Sequence, residues 1–357
     1  MAESEQVLTV ESNVSPSEAQ AAPPPRTLKE IITSQLETLQ AHRQAVLGTD
    51  DPESIHKMRV TTRRLQASLD LLEQELKVHK LKRQLRKWRR TLSLVRNYDV
   101  FLILIEKEAA AHRPSQQDQY ELLKSILHKR RERRAERVRA LMQKVNIGKI
   151  AKRLGLSIAP VANEVAAAPD GEPGESVEAD SKAPRAEKRF AVDENRIANH
   201  IADRLEQRLA EFHALAAQAH PSTNASDLHQ LRIAAKRVRY LLEIISELGY
   251  GDPSRALSWL RTLQDRIGDW HDLEALEEQI IEIVSRKRFM KEHLAESSRL
   301  LQAAAHLQKK KESLVSRLFP VRVPRSLSIT SQRLAKSLRR ASSTAASQTE
   351  RKLSINH

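Results

Sequence analysis

Apolar residues recur along this chain at three- and four-residue spacing, the period of helices packed on one side. The pattern begins at about Thr27 and runs, with two interruptions, to about Arg153. The first interruption is Gly48-Thr49-Asp50-Asp51-Pro52, where Asp51 stands as an N-cap and Pro52 as the first helical residue. The second is Arg113-Pro114-Ser115. Helical spacing resumes near Val192 and holds to about Phe319. Beyond it the chain is basic and serine-rich through Arg339-Arg340-Ala341-Ser342-Ser343, and reads as a weakly ordered tail with one helix.

Two stretches break the pattern altogether. Residues 1–25 are polar and end in Ala-Ala-Pro-Pro-Pro, a disordered lead. Residues 155–189 hold four of the 14 prolines, three of the eight glycines and an acidic cluster from Glu164 to Asp180. Such a segment buries too little apolar surface to offset its ordering entropy, and it reads as a flexible linker. The expected organisation is a lead (1–25), a first bundle (26–154), the linker (155–189), a second bundle (190–320) and a basic tail (321–357).

The two helical halves repeat one another. His56-Lys57-Met58-Arg59-Val60-Thr61-Thr62-Arg63-Arg64-Leu65-Gln66 aligns with His229-Gln230-Leu231-Arg232-Ile233-Ala234-Ala235-Lys236-Arg237-Val238-Arg239, a shift of 173 residues. Leu92-Ser93-Leu94-Val95-Arg96-Asn97-Tyr98-Asp99 aligns with Ile267-Gly268-Asp269-Trp270-His271-Asp272-Leu273-Glu274 at a shift of 175. The expected fold is therefore all-α, with two homologous bundles related by a pseudo-two-fold axis. With eight glycines in 357 residues, composition points the same way.

On a helix of about 100° per residue, Met58, Leu65, Leu69 and Leu72 share one face, as do Leu231, Val238, Leu242 and Ile245. His56, Arg59 and Arg63 fall on roughly the opposite side, and His229, Arg232, Lys236 and Arg239 repeat that stripe. Each helix thus carries a dry face and a cationic ridge. Stacked like charges cost about 0.2–0.5 kcal/mol per pair, and a bound anion would offset that cost. The adjoining Arg64 and Arg237 extend the two ridges. A basic run from Lys77 to Arg96 follows the first, and Arg86 and Arg90 are its candidate contacts. Another run, Lys129 to Arg139, is interleaved with Glu132 and Glu136 and reads as a solvated surface or secondary patch.

Charge defines the partner class. Lys and Arg number 61 against 46 acids, a formal +15, which selects polyanions. Aromatic residues make up 3% of the chain, with Trp88, Tyr98, Trp259 and Trp270 in core-like positions. Few are left as stacking platforms for bases, so a ligand of phosphates without bases fits best. Cysteine is absent, and the first residues have neither a basic n-region nor an apolar h-region. A cytoplasmic protein with no membrane span is expected.

The His-x-x-Arg-Val-x-x-Arg-Arg copy at 56–64, and the His-x-x-Arg-Ile-x-x-Lys-Arg-x-Arg-Tyr copy at 229–240, resemble the CHAD family, the histidine-marked α-helical domain. So do Leu-Ser-x-x-Arg-Asn-x-Asp-Val at 92–100 and Ile-Gly-x-x-His-Asp-x-Glu at 267–274. The resemblance covers about residues 26–320. It implies two four-helix bundles around a basic central groove that binds inorganic polyphosphate, with association to polyphosphate granules. Gln66 stands where the family pattern usually has arginine, and Asn97 where it usually has aspartate. The alternating acidic and basic strands of a fused triphosphate tunnel enzyme are absent.

Two other readings compete. A nucleic-acid-binding helical protein would use the basic tail from Arg333 to Arg340. A metal-dependent phosphohydrolase would use His56, His229 and His271-Asp272, but the counterpart of that pair is Arg96-Asn97, a poor ligand set. No catalytic residue, metal or cofactor is expected. Because arginines flank His56 and His229, polyphosphate binding is expected to protonate both imidazoles.

Overall fold

A computed structural model describes residues 24–110, 118–158, 193–220 and 225–355. Eleven helices make up the described chain, and no strand occurs among the described residues. The first half comprises α1 (Leu28–Gly48), α2 (Pro52–Leu71), α3 (His79–Ala110), α4 (Asp118–Gln143) and α5 (Ile147–Leu154). The second comprises α6 (Glu194–Gln218), α7 (Ala225–Glu247), α8 (Ser254–Val284), α9 (Lys287–Glu292), α10 (Leu294–Leu318) and α11 (Arg325–Ile355). The lead before residue 24, the Arg113-Pro114-Ser115 break and the linker from residue 159 lie outside the described residues.

Local chemistry starts the helices where the sequence indicates. Thr27 and Glu30 close a reciprocal capping box on α1, Thr27 N–H donating to Glu30 Oε2 at 2.7 Å. Asp51 Oδ1 accepts from Glu53 N–H at 3.0 Å, with Pro52 opening α2. Gly249 ends the turn after α7 at φ +80°, a conformation that disfavours a side chain. It also leaves room for Pro25, which a Cβ there would meet at 2.4 Å. At the same turn Arg26 N–H donates to Glu247 O at 3.0 Å. The segment entering the first half is thus bonded to the second.

In the first half α1 packs on α2, α2 on α3 and α3 on α4, with α4 and α5 closing against α1. The second half runs α6 on α7, α7 on α8 and α8 on α10. Its closing helix is α11, laid along α6 and against α8. The tail, in which one helix is expected, is helical over Arg325–Ile355 and, more ordered than expected, buries Leu327, Leu334, Ala335 and Leu338 in the main core. Its leucine stripe is masked in the sequence by serine, threonine and arginine at most other positions.

The eight dry-face residues of α2 and α7, including Leu72 just beyond α2, are all fully buried. The main core is continuous across the two halves. A smaller cluster forms where the far end of the α3–α4 pair meets the α8–α10 pair, around Phe101, Leu123, Leu276 and Leu300. Lys310 bonds both oxygens of Glu108 across this junction at 2.6 and 2.7 Å. Among the described residues no helix is long and apolar enough to cross a membrane.

Candidate polyanion-binding site

Helices α2 and α7 meet across the junction of the halves, with α6 against α2 and α3 against α8. His56 and His229 each fall at the fifth residue of their helices, so both ridges start in the same register. The dry faces point into the core and turn the ridges toward each other. A cavity of about 490 Å³ lies between α2, α3, α6 and α7. Its walls carry Arg63, Arg89, Arg204, Arg208, Arg232 and Lys236. The carboxylate among its lining residues is Asp70, which Lys82 holds in an ion pair.

Burial and mutual repulsion perturb these cations strongly. Arg59, half-buried and facing Arg63, Arg96, Arg232 and Arg89, is pushed down to about 9 through desolvation first and then the cations. Lys236 falls to about 6, through burial first and then Arg63, Arg232, Arg59 and Arg239. Burial also lowers Arg232 and Arg89, with Asp272 and Tyr240 respectively opposing the shift. His271 drops to about 4 from burial, aided by Arg232, His229 and Lys236. Its ring lies 5.7 Å from that of His229. Asp272 is raised by burial despite Arg232 and Arg96.

Arg59 Nε and Arg232 Nε occupy equivalent positions in the repeat. Both are buried with no hydrogen-bond acceptor in the protein. A buried donor without an acceptor costs about 1–3 kcal/mol, and a charged one more. Gly268 packs beside Arg232, where a Cβ would lie 3.4 Å from Arg232 Nη2, an ordinary contact.

Of the residues expected to bind, Arg63, His229, Arg232, Lys236 and Arg237 line the cavity. Arg59 and His56 sit beside it, within the field of Arg63. Arg64 and Arg239 instead converge on Glu243, at 3.4 and 3.8 Å, so the first ties α2 to α7. Arg239 also lies 4.9 Å over the Tyr240 ring. Arg86 and Arg90 are exposed and outside the cavity wall.

Their neighbour Arg89 takes the place expected of them. It donates to Gln66 Oε1 at 2.8 Å, so the residue that departs from the repeat (its counterpart is Arg239) fixes a cavity arginine. Arg204 and Arg208 enter from α6, which carries no repeated motif, and nothing in their sequence context marks them. The expected cause of histidine titration also changes. Burial is the main influence lowering His56, and the arginines add to it. His229 is exposed. The group most displaced toward neutral pH is Lys236.

The second motif is divided between structure and site. Asp99 is buried in the middle of α3 and accepts from Arg131 Nε at 2.6 Å, so it serves as a strut to α4. That pair accounts for part of the α4 basic run, as do Arg130–Glu282 at 3.4 Å and Arg139–Asp50. Tail residue Arg339 is engaged by Glu206 and Asp203 of α6 at 2.8 and 3.0 Å. Among the described residues no three His, Asp or Glu side chains gather as a metal site would require.

The family model for the CHAD domain matches residues 30–280. Among solved structures, the chain is similar to the crystal structure of the CHAD domain from the plant Ricinus communis. That match has 21% identity and a TM-score of 0.52, covering 87% of this chain and 99% of the other. It is also similar to PptA from Streptomyces chartreusis, at 16% identity and a TM-score of 0.50, covering 81% of this chain and 96% of the other. No curated protein matches it in sequence.

Proposed function

This chain belongs to the CHAD family, and from that premise we propose that it binds inorganic polyphosphate in the arginine-lined cavity between α2, α3, α6 and α7. The observation that carries the reading is the repeated pair Arg59 and Arg232. In each, the buried Nε lacks an internal acceptor, and Arg59 faces Arg63, Arg96 and Arg232 while Arg232 faces Arg63 as well as Asp272, an arrangement that is costly until an anion enters. Phosphate oxygens accept from guanidinium donors in strong, charge-assisted bonds. Arg63, Lys236 and Arg89 continue the contact surface, with His229 at its edge. The role is binding, without a catalytic step, in a cytoplasmic protein associated with polyphosphate granules.

Nucleic acid is the weaker candidate. Besides His229, Tyr240 is the aromatic ring in the cavity wall, and Arg239 covers it. Base stacking therefore has little to use. The basic tail that would favour nucleic acid is partly neutralised through Arg339.

The test is a competition titration of long-chain polyphosphate against RNA and DNA of matched charge, at two salt concentrations. Polyphosphate should win, with affinity falling steeply as salt rises. A folded Arg59→Glu/Arg232→Glu variant with unchanged polyphosphate affinity would overturn the assignment.

A further inference from the structure

We propose that Lys236 is a self-acylating residue, whose amine takes the acyl group from small acyl phosphates bound among the cavity arginines. This deepens the anion-site reading and rests on it.

Position and surroundings favour the reaction. Lys236 lines the cavity and is reachable from it. Among the described residues it has neither a hydrogen bond nor an ion pair, whereas Lys82 and Lys310 are held by carboxylates. From α2 it faces Arg59 and Arg63, and on its own helix Arg232 and Arg239. Helix α8 adds His271 and the acid Asp272, and Asp272 also lies in the fields of Arg232 and Arg96. Across the cavity stand Arg89 of α3 and Arg204 and Arg208 of α6. Burial first, and the excess of cations after it, keep the amine neutral near pH 7, since Lys236 is pushed down to about 6. A neutral lysine amine is a nucleophile; an ammonium is not.

The same guanidiniums suit the other partner in the reaction. They bind the phosphate of an acyl phosphate dianion and stabilise it as leaving group. The Lys236 lone pair attacks the acyl carbon, the bond from that carbon to the phosphate oxygen breaks, and its electron pair leaves with the phosphate. The amine proton passes to the departing phosphate. One amide and one hydrogenphosphate form, and no oxidant or metal enters the balance. The amide can no longer take up a proton, so acylation removes one latent cation from the cavity.

At neutral pH a lysine of pKa about 6 is mostly free amine. An exposed lysine is free to roughly one part in 2,500. Lower basicity also weakens a nucleophile, so the net advantage is nearer tenfold. Phosphate anchoring adds to it.

The test incubates the full chain with acetyl phosphate from about pH 5 to about 9, with acetylation mapped by peptide mass spectrometry. A neutral acetyl ester, p-nitrophenyl acetate, is run in parallel, and both are repeated with excess long-chain polyphosphate. Lys236 should acetylate about tenfold or more faster than exposed Lys57 and Lys87. Its rate should level off above about pH 7 while theirs keep climbing. Acetyl phosphate should show a larger preference for Lys236 than the ester does, and polyphosphate should suppress it. The acetylated protein should bind polyphosphate about tenfold more weakly. Normal polyphosphate binding with an inert Lys236 overturns the proposal and leaves the anion site standing. A reactive Lys236 with no acetyl phosphate preference and no protection by polyphosphate overturns it through its premise.

Discussion

Replacing Arg59 with methionine should make the free protein more stable and its grip on polyphosphate weaker. Methionine keeps the apolar stem and approximate volume, and removes the guanidinium. The descent of Arg59 to about 9 reports how poorly the fold accommodates its charge. At about 1.4 kcal/mol per tenfold change, that descent corresponds to roughly 5 kcal/mol as an upper bound. Relaxation of the neighbours and access to water reduce the recoverable part to about 1–3 kcal/mol. In a chain of this size the melting temperature should rise about 1–5 °C in low-salt, phosphate-free buffer. Polyphosphate affinity should fall by about tenfold or more, because a charge-assisted bond is lost. Differential scanning fluorimetry and calorimetric titration read the two effects separately. Arg83→Met, at an exposed position on α3 outside the cavity, is the control and should change neither appreciably. A methionine variant that melts below the parent would show that the guanidinium is compensated within the fold. One that binds polyphosphate as tightly would show that the anion lies elsewhere. Either result refutes the reasoning.

Other consequences follow from the same geometry. Polyphosphate binding near pH 7.5 should take up protons, read by titration in buffers of different ionisation enthalpy, and Lys236→Met should abolish most of the uptake. Folding keeps Lys236 unprotonated above about 6, whereas the unfolded chain holds that proton up to the ordinary lysine range. Free-protein stability should therefore rise with pH across that window, and the Lys236→Met variant should show a flatter profile in chemical denaturation. Asp99→Asn leaves Arg131 facing a neutral amide in a buried site and should cost about 3 kcal/mol by urea unfolding; less than about 1 kcal/mol would rule out the strut. Leu338→Ala should cost about 2–4 kcal/mol, whereas a loose tail would register almost nothing. Gln66→Arg removes the acceptor for Arg89 and adds a cation, so it should lower the melting temperature and steepen the salt dependence of polyphosphate binding.

The repeat was the most legible feature of the sequence, because His56 and His229 open helices whose dry and charged faces are separated by simple periodicity. It singled out Arg59, Arg63, Arg232 and Lys236, which lie beside or in the cavity wall. It failed where position depends on packing between helices. On α3, Arg86, Arg89 and Arg90 are equally basic in sequence. The rotation of that helix, set by buried Leu85, Trp88 and Leu92, turns Arg89 inward and the other two out. Arg204 and Arg208 enter through α6, which shares no motif with the ridges. The last helix was obscured because its core residues are a minority among serines and arginines, although Leu327, Leu334 and Leu338 keep helical spacing.

The apolar cluster shared by the α3–α4 and α8–α10 pairs has a consequence for how affinity grows with ligand length. It locks the two halves together at one end, and close-packed interiors do not deform continuously. The cavity is therefore a mould of fixed span, and any flexible chain laid in it bears the whole loss of conformational freedom itself. Units beyond that span gain no new contact. They add only alternative registers in which the same mould can be filled, and each doubling of the registers contributes about 0.4 kcal/mol. Affinity should climb steeply until the span is filled and then only logarithmically. A long chain would thus be held by many equivalent grips, exchanging one for the next along its length.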